Sequence, residues 1–267
     1  MRERGRRAGT SWRLGAGAAI VLVATSAAAL DGESLRLLLL GAQDMNTPQT
    51  ILRADIAVSL ETYKGPRTTQ AIAIFAPGKD AHWYLQLKDP GLTALVLGSD
   101  RKVMERTDHT IRTVALGEPI ADLGVSYEDL SRFVADEFKL WQIADESTDT
   151  VLVGAHPAGE SAYVYRAYTL DKTRTIPLKV QFYAKSLNNL VKLRTDSDHV
   201  LIGKKWFPGT IEVQNFPENS TVKLAIRWSQ ASTTPPELLA AESFANSSPL
   251  PWTTPSPVPT GQPASEK

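Results

Sequence analysis

Residues 124–133, GVSYEDLSRF, separate two long blocks of sequence that have the same pattern of apolar runs and turns. Ser126 is a favoured helix N-cap residue, and Glu128 and Asp129 then occupy the first turn, where carboxylates stabilise a helix. An apolar stripe at i, i+3 and i+4 follows, made of Leu130, Phe133 and Val134. On both sides of the stretch, short apolar runs alternate with turn signals, as is typical of strands. We therefore predict one curved sheet with a helix packed across it.

The strands are recognised by residues that alternate between apolar and polar, a period that buries one face of a sheet. Residues 54–62 and 68–76 flank a Gly-Pro turn and predict a hairpin. In the second block the clearest strands are residues 176–182, 190–195 and 222–228. Turns recur at intervals of about 8–12 residues and delimit about eleven strands, which is typical of an antiparallel meander, sandwich or barrel.

The two ends of the chain have a different composition. Residues 32–42, GESLRLLLLGA, predict a helix with a leucine stripe, and residues 235–244 predict a short closing helix. Six of the nineteen residues from 249 to 267 are proline, mixed with Ser and Thr. Such a composition cannot bury enough apolar area to offset the entropy of ordering. We expect a single domain over residues 30–245 and a disordered tail over residues 246–267.

The N-terminus has the three parts of a secretory signal peptide. Five arginines make a basic start: Arg2, Arg4, Arg6, Arg7 and Arg13. Residues 14–24 are apolar, and Ser26–Ala29 (SAAA) offers a cleavage site of small residues. We predict a leader over residues 1–29, with an uncleaved membrane anchor as the alternative. Its removal leaves 24 basic and 28 acidic residues, a net charge near −4, which argues against a nucleic-acid partner.

Motifs that carry catalysis or bind cofactors are not found in the sequence. There is no G-x-S-x-G, P-loop, G-x-G-x-x-G or H-E-x-x-H, and cysteine is absent. The four histidines have no metal-ligand spacing: His82, His109, His156 and His199. The adjacent carboxylates Glu128 and Asp129 are expected to be helix-start charges. We predict no catalytic residues, no metal and no cofactor.

Several segments together resemble the outer-membrane lipoprotein-sorting protein family, which has the LolA-like fold. The resemblance lies in SYEDL between two β blocks and in four later segments: IPLKV at 176–180, FYAK at 182–185, GKKWFP at 203–208 and the strand at 210–216. It covers residues 35–244. The family motif residues are Ser126, Tyr127, Glu128, Asp129 and Leu130.

The resemblance implies a mainly β fold, a single unclosed antiparallel β-barrel with helices packed in its mouth. It also implies a monomeric periplasmic carrier that binds the acyl chains of lipoproteins or other lipids for transfer towards the outer membrane, with an inner-membrane transporter as a further partner. The candidate lipid contacts are the inward apolar positions Ile56, Val58, Leu60, Ile72, Ile74, Trp83, Leu85, Leu178, Val180, Phe182, Ile211, Val213, Leu224, Ile226 and Trp228.

Two alternatives remain open from the sequence alone. A ligand cavity and a closed core have the same sequence pattern, so the inward residues fit either one. The related fold also serves envelope regulatory proteins, so a binding module that contacts another protein is the second functional candidate.

Overall fold

The computed structural model describes residues 30–78, 82–108, 110–231 and 236–252. The predicted signal peptide, residues 1–29, and residues 253–267 of the predicted tail lie outside the described residues.

Helix α1, Gly32–Met45, begins where the Asp31 side chain accepts a hydrogen bond from the Ser34 backbone N–H, a local N-cap that satisfies one free donor. Helix α2, Tyr127–Leu130, begins at Ser126, and helix α3 covers Ala241–Phe244. Short 3₁₀ turns at Ala135–Glu137 and Pro236–Leu239 complete the helical elements of the described residues.

The described residues contain fifteen strands. Six precede α2: β1 Leu52–Thr62, β2 Gly65–Phe75, β3 Trp83–Leu87, β4 Leu92–Leu97, β5 Lys102–Thr107 and β6 Thr110–Ala115. Nine follow it: β7 Phe138–Glu146, β8 Thr150–Pro157, β9 Tyr165–Asp171, β10 Ile176–Tyr183, β11 Leu190–Ser197, β12 Val200–Ile202, β13 Lys205–Phe207, β14 Thr210–Asn215 and β15 Ser220–Gln230. Strands β12 and β13 form a separate hairpin, and the other thirteen form one antiparallel sheet.

The order of strands in the sheet is β6-β5-β4-β3-β2-β1-β15-β14-β11-β10-β9-β8-β7. The chain therefore starts at the centre, winds outward to one edge at β6, crosses to the other edge at β7 and winds back to the centre. The edge strands β6 and β7 are not paired with each other, so the barrel stays open. Helix α2 lies on the crossover between the two edges, which explains why one short motif separates two similar blocks of strands.

One face of the sheet, the inner face, packs against α1 and α2. The inner face continues from strand to strand, because residues paired directly across the ladder point to the same side of the sheet. Such pairs are Phe182 with Lys192, Ile211 with Leu224, and Ala54 with Ala73. Two apolar clusters lie on it. The first includes residues of β1–β5, β14 and β15 together with Tyr127, and the second includes residues of α1 and β7–β10.

The opposite, outer face of β2–β5 is covered by residues 236–252. Leu238 and Phe244 pack there against Ile72, Ile74 and Tyr84. Polar contacts fasten the segment at two points. The guanidinium of Arg106 donates to the carbonyls of Phe244 and Ser247 at 2.9 and 2.6 Å, and the amide of Gln86 exchanges hydrogen bonds with the backbone of Leu250. Residues 246–252 of the predicted tail are therefore placed against the sheet.

The predicted fold class is confirmed: the protein is mainly β, with an open antiparallel half-barrel and helices on its inner face. The sheet has thirteen strands, two more than the sequence pattern suggested. The predicted helix at the crossover is shorter than its apolar stripe, because Ser131 already has an extended backbone with ψ 146°. Phe133 is nevertheless buried, in the second cluster.

Candidate functional site

An apolar hollow opens on the inner face of the half-barrel, beside the first cluster. Its floor is formed by β1, β2, β3, β14 and β15. Its walls are residues that follow α1, the end of α2 and the residues after it, Arg194 of β11 and the end of β13. The volume open to the centres of water molecules is about 70 Å³, well below the roughly 300–1,000 Å³ of typical small-molecule sites. The hollow is thus present but narrow in this conformation.

Alternating residues of neighbouring strands line the floor because antiparallel register stacks them side by side. Ala54 lies opposite Ala73, and Ala73 lies opposite Leu85 on the next strand. The two alanines are 1 % exposed, and both line the hollow. Two small side chains at neighbouring positions leave space that larger residues would fill.

Aromatic rings surround this space. The Phe75 and Trp83 rings stack with centroids 5.8 Å apart, and the Trp228 ring lies 5.3 Å from Phe75 and 5.1 Å from Phe207. The Trp228 indole N–H donates to the Pro208 carbonyl at 2.7 Å. A bond to this donor leaves an apolar ring surface towards the hollow, which suits an apolar ligand.

The crossover motif supplies one wall and is locally self-consistent. The Ser126 hydroxyl accepts from the Asp129 backbone N–H at 3.2 Å, and the Asp129 carboxylate accepts from the Ser126 N–H at 2.7 Å. This reciprocal capping box starts α2 in a fixed position. Leu130, at the end of the helix, lines the hollow together with Arg132.

The Glu128 carboxylate, 1 % exposed, is the centre of a buried ion network. It accepts from the Arg101 guanidinium at 2.8 Å, from Arg166, and from the Ser161 hydroxyl at 2.7 Å. Its second oxygen accepts from the Ala162 N–H at 3.0 Å. Burying a carboxylate is tolerated only when charges and donors surround it in this way.

Asp129 and the strand behind it form a second part of this network. Its carboxylate accepts from the Lys192 ammonium at 2.7 Å and from the Tyr163 hydroxyl. Arg194 on β11 donates to the backbone carbonyls of Asp129 and Ser131 at 3.0 and 3.1 Å. These bonds fix α2 to β11, which lies in the other half of the strand order from β5.

Tyr127 ties the same helix to β5. Its hydroxyl donates to the Glu105 carboxylate at 2.8 Å, and Arg112 also bonds that carboxylate. Burial raises the pKa of the Tyr127 hydroxyl far above its ordinary value, and the bond to Glu105 adds to the rise. Burial likewise raises the pKa of the Tyr163 hydroxyl, with Asp129 as the second cause. Both phenols are therefore fixed hydrogen-bond donors at physiological pH.

The five motif residues Ser126–Leu130 therefore connect the two halves of the open sheet, the half before the crossover and the half after it. The carboxylates of Glu128 and Asp129 are held by structural partners from β9, β11 and the turn before β5. Among the described residues, no group of three or more His, Asp or Glu side chains is arranged to hold a metal ion.

The structure distributes the fifteen candidate lipid contacts over five places. Seven line the hollow: Ile56, Trp83, Leu85, Ile211, Leu224, Ile226 and Trp228. Three lie beside it in the first cluster: Val58, Leu60 and Val213. Val180 and Phe182 belong to the second cluster, under α1, and Ile72 and Ile74 lie on the outer face. Leu178 is half-buried, next to an irregularity in the register of β10.

Other residues that line the hollow were not among the candidates. They include Ala54, Ala73, Phe75, Arg132, Arg194 and Phe207. On β2 hydrophobicity predicts that Ile72 and Ile74 face inward, whereas Ala71, Ala73 and Phe75 do so in the structure. The register of the β1–β2 hairpin could have identified them, because it pairs Ala73 with Ala54 and paired residues point to the same face.

No described helix combines the length and apolar character that crossing a membrane requires, α1 with its fourteen residues included.

The chain is similar to several known proteins. A protein-family model described as "Uncharacterized protein" matches residues 104–238, half of the chain. No curated protein matches it. A solved DUF1329 family protein from Desulfovibrio piger superposes with a TM-score of 0.69 at 16 % identity, over 79 % of this chain and 98 % of that one.

Two further solved structures have the same fold. An outer membrane lipoprotein-sorting protein domain from Vibrio parahaemolyticus gives a TM-score of 0.66 at 14 % identity, over 78 % of this chain and 97 % of its own. A LolA superfamily protein from Nitrosomonas europaea gives 0.63 at 14 % identity, with the same coverage. The resemblance to the LolA-like fold is thereby confirmed.

Proposed function

We propose that this protein carries the acyl chains of lipoproteins or other lipids. The premise is that the chain belongs to the family described as "Uncharacterized protein", whose model matches residues 104–238, and that it has the LolA-like fold. The proposal depends on one observation, the apolar hollow between the inner face and the residues that follow α1 and α2. It is a binding function, and no residue is assigned a catalytic role.

The chemistry of the hollow suits an acyl chain. Its surface is formed mainly by aliphatic and aromatic side chains, and the charged members of the described lining are Arg132 and Arg194. Burying a twelve-carbon chain at about 0.8 kcal/mol per CH₂ contributes about 10 kcal/mol before the costs of association are subtracted. Those costs remove several kcal/mol, which leaves binding that a carrier can reverse.

A guest of this size requires the narrow hollow to widen. The wall residues that follow α1 and α2, among them Pro48 and Arg132, lie outside the strands. Moving them breaks no bond of the thirteen-stranded ladder, so widening costs less than opening the sheet. We propose that the wall moves outward when lipid enters, while the strands of the floor keep their register.

The cellular place of this function follows from the same proposal. A carrier of acyl chains is needed where lipidated proteins cross an aqueous space, and the predicted leader directs the chain out of the cytoplasm. We place the protein in the periplasm, where it would pass its cargo towards the outer membrane after loading from an inner-membrane transporter.

The test is uptake of a fluorescent twelve-carbon fatty acid by the purified protein. Ala73→Leu adds three carbons inside the hollow, and we expect about tenfold weaker uptake, equivalent to about 1.4 kcal/mol. Ile74→Val, on the same strand but on the outer face, removes one methyl group and is the matched control with unchanged uptake. Ala54→Leu repeats the test from the neighbouring strand if Ala73→Leu lowers the melting temperature strongly.

Lipid mass spectrometry of the protein purified from a bacterial envelope is the second measurement. Bound lipid that is lost in Ala73→Leu and Ala54→Leu, the two variants that fill the hollow, supports the proposal. A protein that carries no lipid, takes up no probe and instead copurifies with one envelope protein would overturn it in favour of a regulatory module.

A further inference from the structure

A second pocket lies at one end of the sheet, where three adjacent strands stop together. It is lined by residues 61–63 at the end of β1, 214–216 at the end of β14, and 219–221 at the start of β15. Register brings these segments side by side, because Glu61 lies opposite Thr221 and Asn215 lies opposite Ser220. None of these residues lines the apolar hollow.

The size and the chemistry of this pocket differ from those of the hollow. Its volume is about 380 Å³ on the same measure, within the roughly 300–1,000 Å³ of small-molecule sites. Its surface is mostly polar and offers hydroxyl and amide groups from residues such as Thr62, Gln214 and Asn219. These side chains both donate and accept hydrogen bonds. Among the described residues that line it, Glu61 alone is charged.

Two exposed aromatic residues belong to this polar lining. Tyr63 is 78 % exposed and Phe216 is 47 % exposed. The ammonium of Lys64 lies over one face of the Tyr63 ring, 5.5 Å from its centroid, so a ligand has the opposite face of this exposed ring to stack on. An aromatic face in water has little to gain from solvent and favours an apolar surface laid flat on it.

A buried hydroxyl in the same lining has no partner. Ser220 is 7 % exposed, and its Oγ makes no hydrogen bond within the described residues. Leaving a buried polar group unsatisfied is costly. The Ser220 Oγ is closed to solvent, so a ligand with a hydroxyl or an amide would relieve this cost once the lining opens enough to admit it.

We propose that this rim pocket binds a neutral saccharide. A pyranose ring has an apolar C–H face that suits Tyr63 and Phe216, and a ring of hydroxyls that suits the amide and hydroxyl side chains. The one charge among the described lining residues is the negative Glu61, which disfavours a phosphate or uronate; the Lys64 ammonium lies next to the Tyr63 ring, at the edge of the lining. The proposal is independent of lipid carriage, since the two sites share no lining residue.

Ligand-observed saturation-transfer NMR on the purified full chain tests this proposal. The probes are maltotetraose, cellotetraose and tetra-N-acetylchitotetraose, with tetragalacturonate as the charged comparison. We expect at least one neutral tetrasaccharide to bind, and the charged one to bind at least tenfold more weakly. The N-acetylated probe distinguishes a cell-wall type of glycan from a plain hexose polymer.

Variants then locate the binding. Tyr63→Ala and Phe216→Ala should each weaken it about tenfold, whereas Tyr63→Phe should retain most of it because the ring remains. Leu187→Ala removes another side chain that is 55 % exposed and is the control with unchanged binding. Fatty-acid uptake should be the same in all four variants, so failure here is distinguishable from failure of the carrier proposal. Absence of binding to every neutral probe, or binding that both alanine variants leave unchanged, would overturn the saccharide site.

Discussion

The two halves of the inner face are built from the same alternating strands, yet one is filled and the other is partly hollow. In the filled half, Leu35, Leu39 and Ala42 of α1 pack on Val180 and Phe182. Aromatic side chains occupy the rest of this half: Phe133, Phe138, Trp141, Tyr163 and Tyr168. In the other half, no long helix of the described part of the chain covers the floor, and paired alanines leave space between aromatic walls.

This difference shows what separates a core from a binding site in such a fold. Period-two alternation brings apolar side chains to the inner face in both halves. Whether that face becomes solid depends on what covers it, and α1 covers only one end. A crossover motif with a buried ion network fixes the boundary, since Tyr127 belongs to the first cluster and Phe133 to the second.

The largest expected effect concerns this boundary. Glu128→Gln removes the charge that balances Arg166, whose side chain is 6 % exposed, and also the ion pair with Arg101. Breaking a buried pair from one side costs about 3–5 kcal/mol, so we expect this loss in the free energy of unfolding measured with urea. Glu118→Gln changes an exposed carboxylate on the same crossover and should stay within about 0.5 kcal/mol of the parent. Equal losses of unfolding free energy for the two variants would contradict a stabilising role of the Glu128 ion network.

The next effect compares the two halves directly through the same substitution. Phe182→Ala, at 1 % exposure in the filled half, should cost about 3–5 kcal/mol, because close-packed neighbours cannot collapse fully into the gap. Phe75→Ala, half-buried beside the hollow, should cost less than about 2 kcal/mol, because its ring buries less area. Urea unfolding at one pH measures both. If Phe75→Ala proves as costly as Phe182→Ala, the hollow is packed as tightly as the core.

The smallest effect is a dependence on pH within the filled half. Burial raises the pKa of the Glu137 carboxyl above its ordinary 4.5, and the ion pair with Arg101 at 2.9 Å only partly opposes this. A raised native pKa means that the folded state binds the proton more readily than the unfolded chain. Its contribution is therefore fully present below pH 4.5 and is lost as pH rises through the native pKa.

Thermal unfolding of the parent and of Glu137→Gln at pH 7 and pH 5 checks this sign. The parent should gain stability relative to the variant on going from pH 7 to pH 5, because only the parent takes up the proton. The variant Glu118→Gln, measured at the same two values, corrects for carboxylates elsewhere. A stability difference between parent and Glu137→Gln that is constant with pH would contradict the prediction.

Much of the architecture could be predicted from the chain, because its local rules agree with the final structure. The helix at residues 32–42 was found by its leucine stripe and is observed as Gly32–Met45. The crossover helix was found by its cap, and the structure shows the full capping box at Ser126 and Asp129. The alternation of β15 placed Val222, Leu224 and Ile226 on one face, where the structure has them.

The candidate site was predicted only in part, and β2 shows why. Alternation identifies the inner face of a strand only where the other face is in water. Residues 236–252 bury the outer face of β2, so Ile72 and Ile74 are as buried as Ala71 and Ala73. With both faces dry, hydrophobicity no longer reveals which side faces inward.

The sequence by itself determined the strands, their antiparallel succession and the capped crossover helix, because each depends on contacts between near neighbours or on a simple period. That the barrel stays open was implied by the family resemblance and is shown by the unpaired edge strands β6 and β7. Only the tertiary structure decided which inner residues surround empty space and which fill a core. It also decided that a C-terminal segment covers the outer face and that a polar pocket with Tyr63 and Phe216 forms where three strands end. These features depend on contacts between segments that are far apart in the sequence, and the local spacing of apolar and polar residues does not specify such contacts.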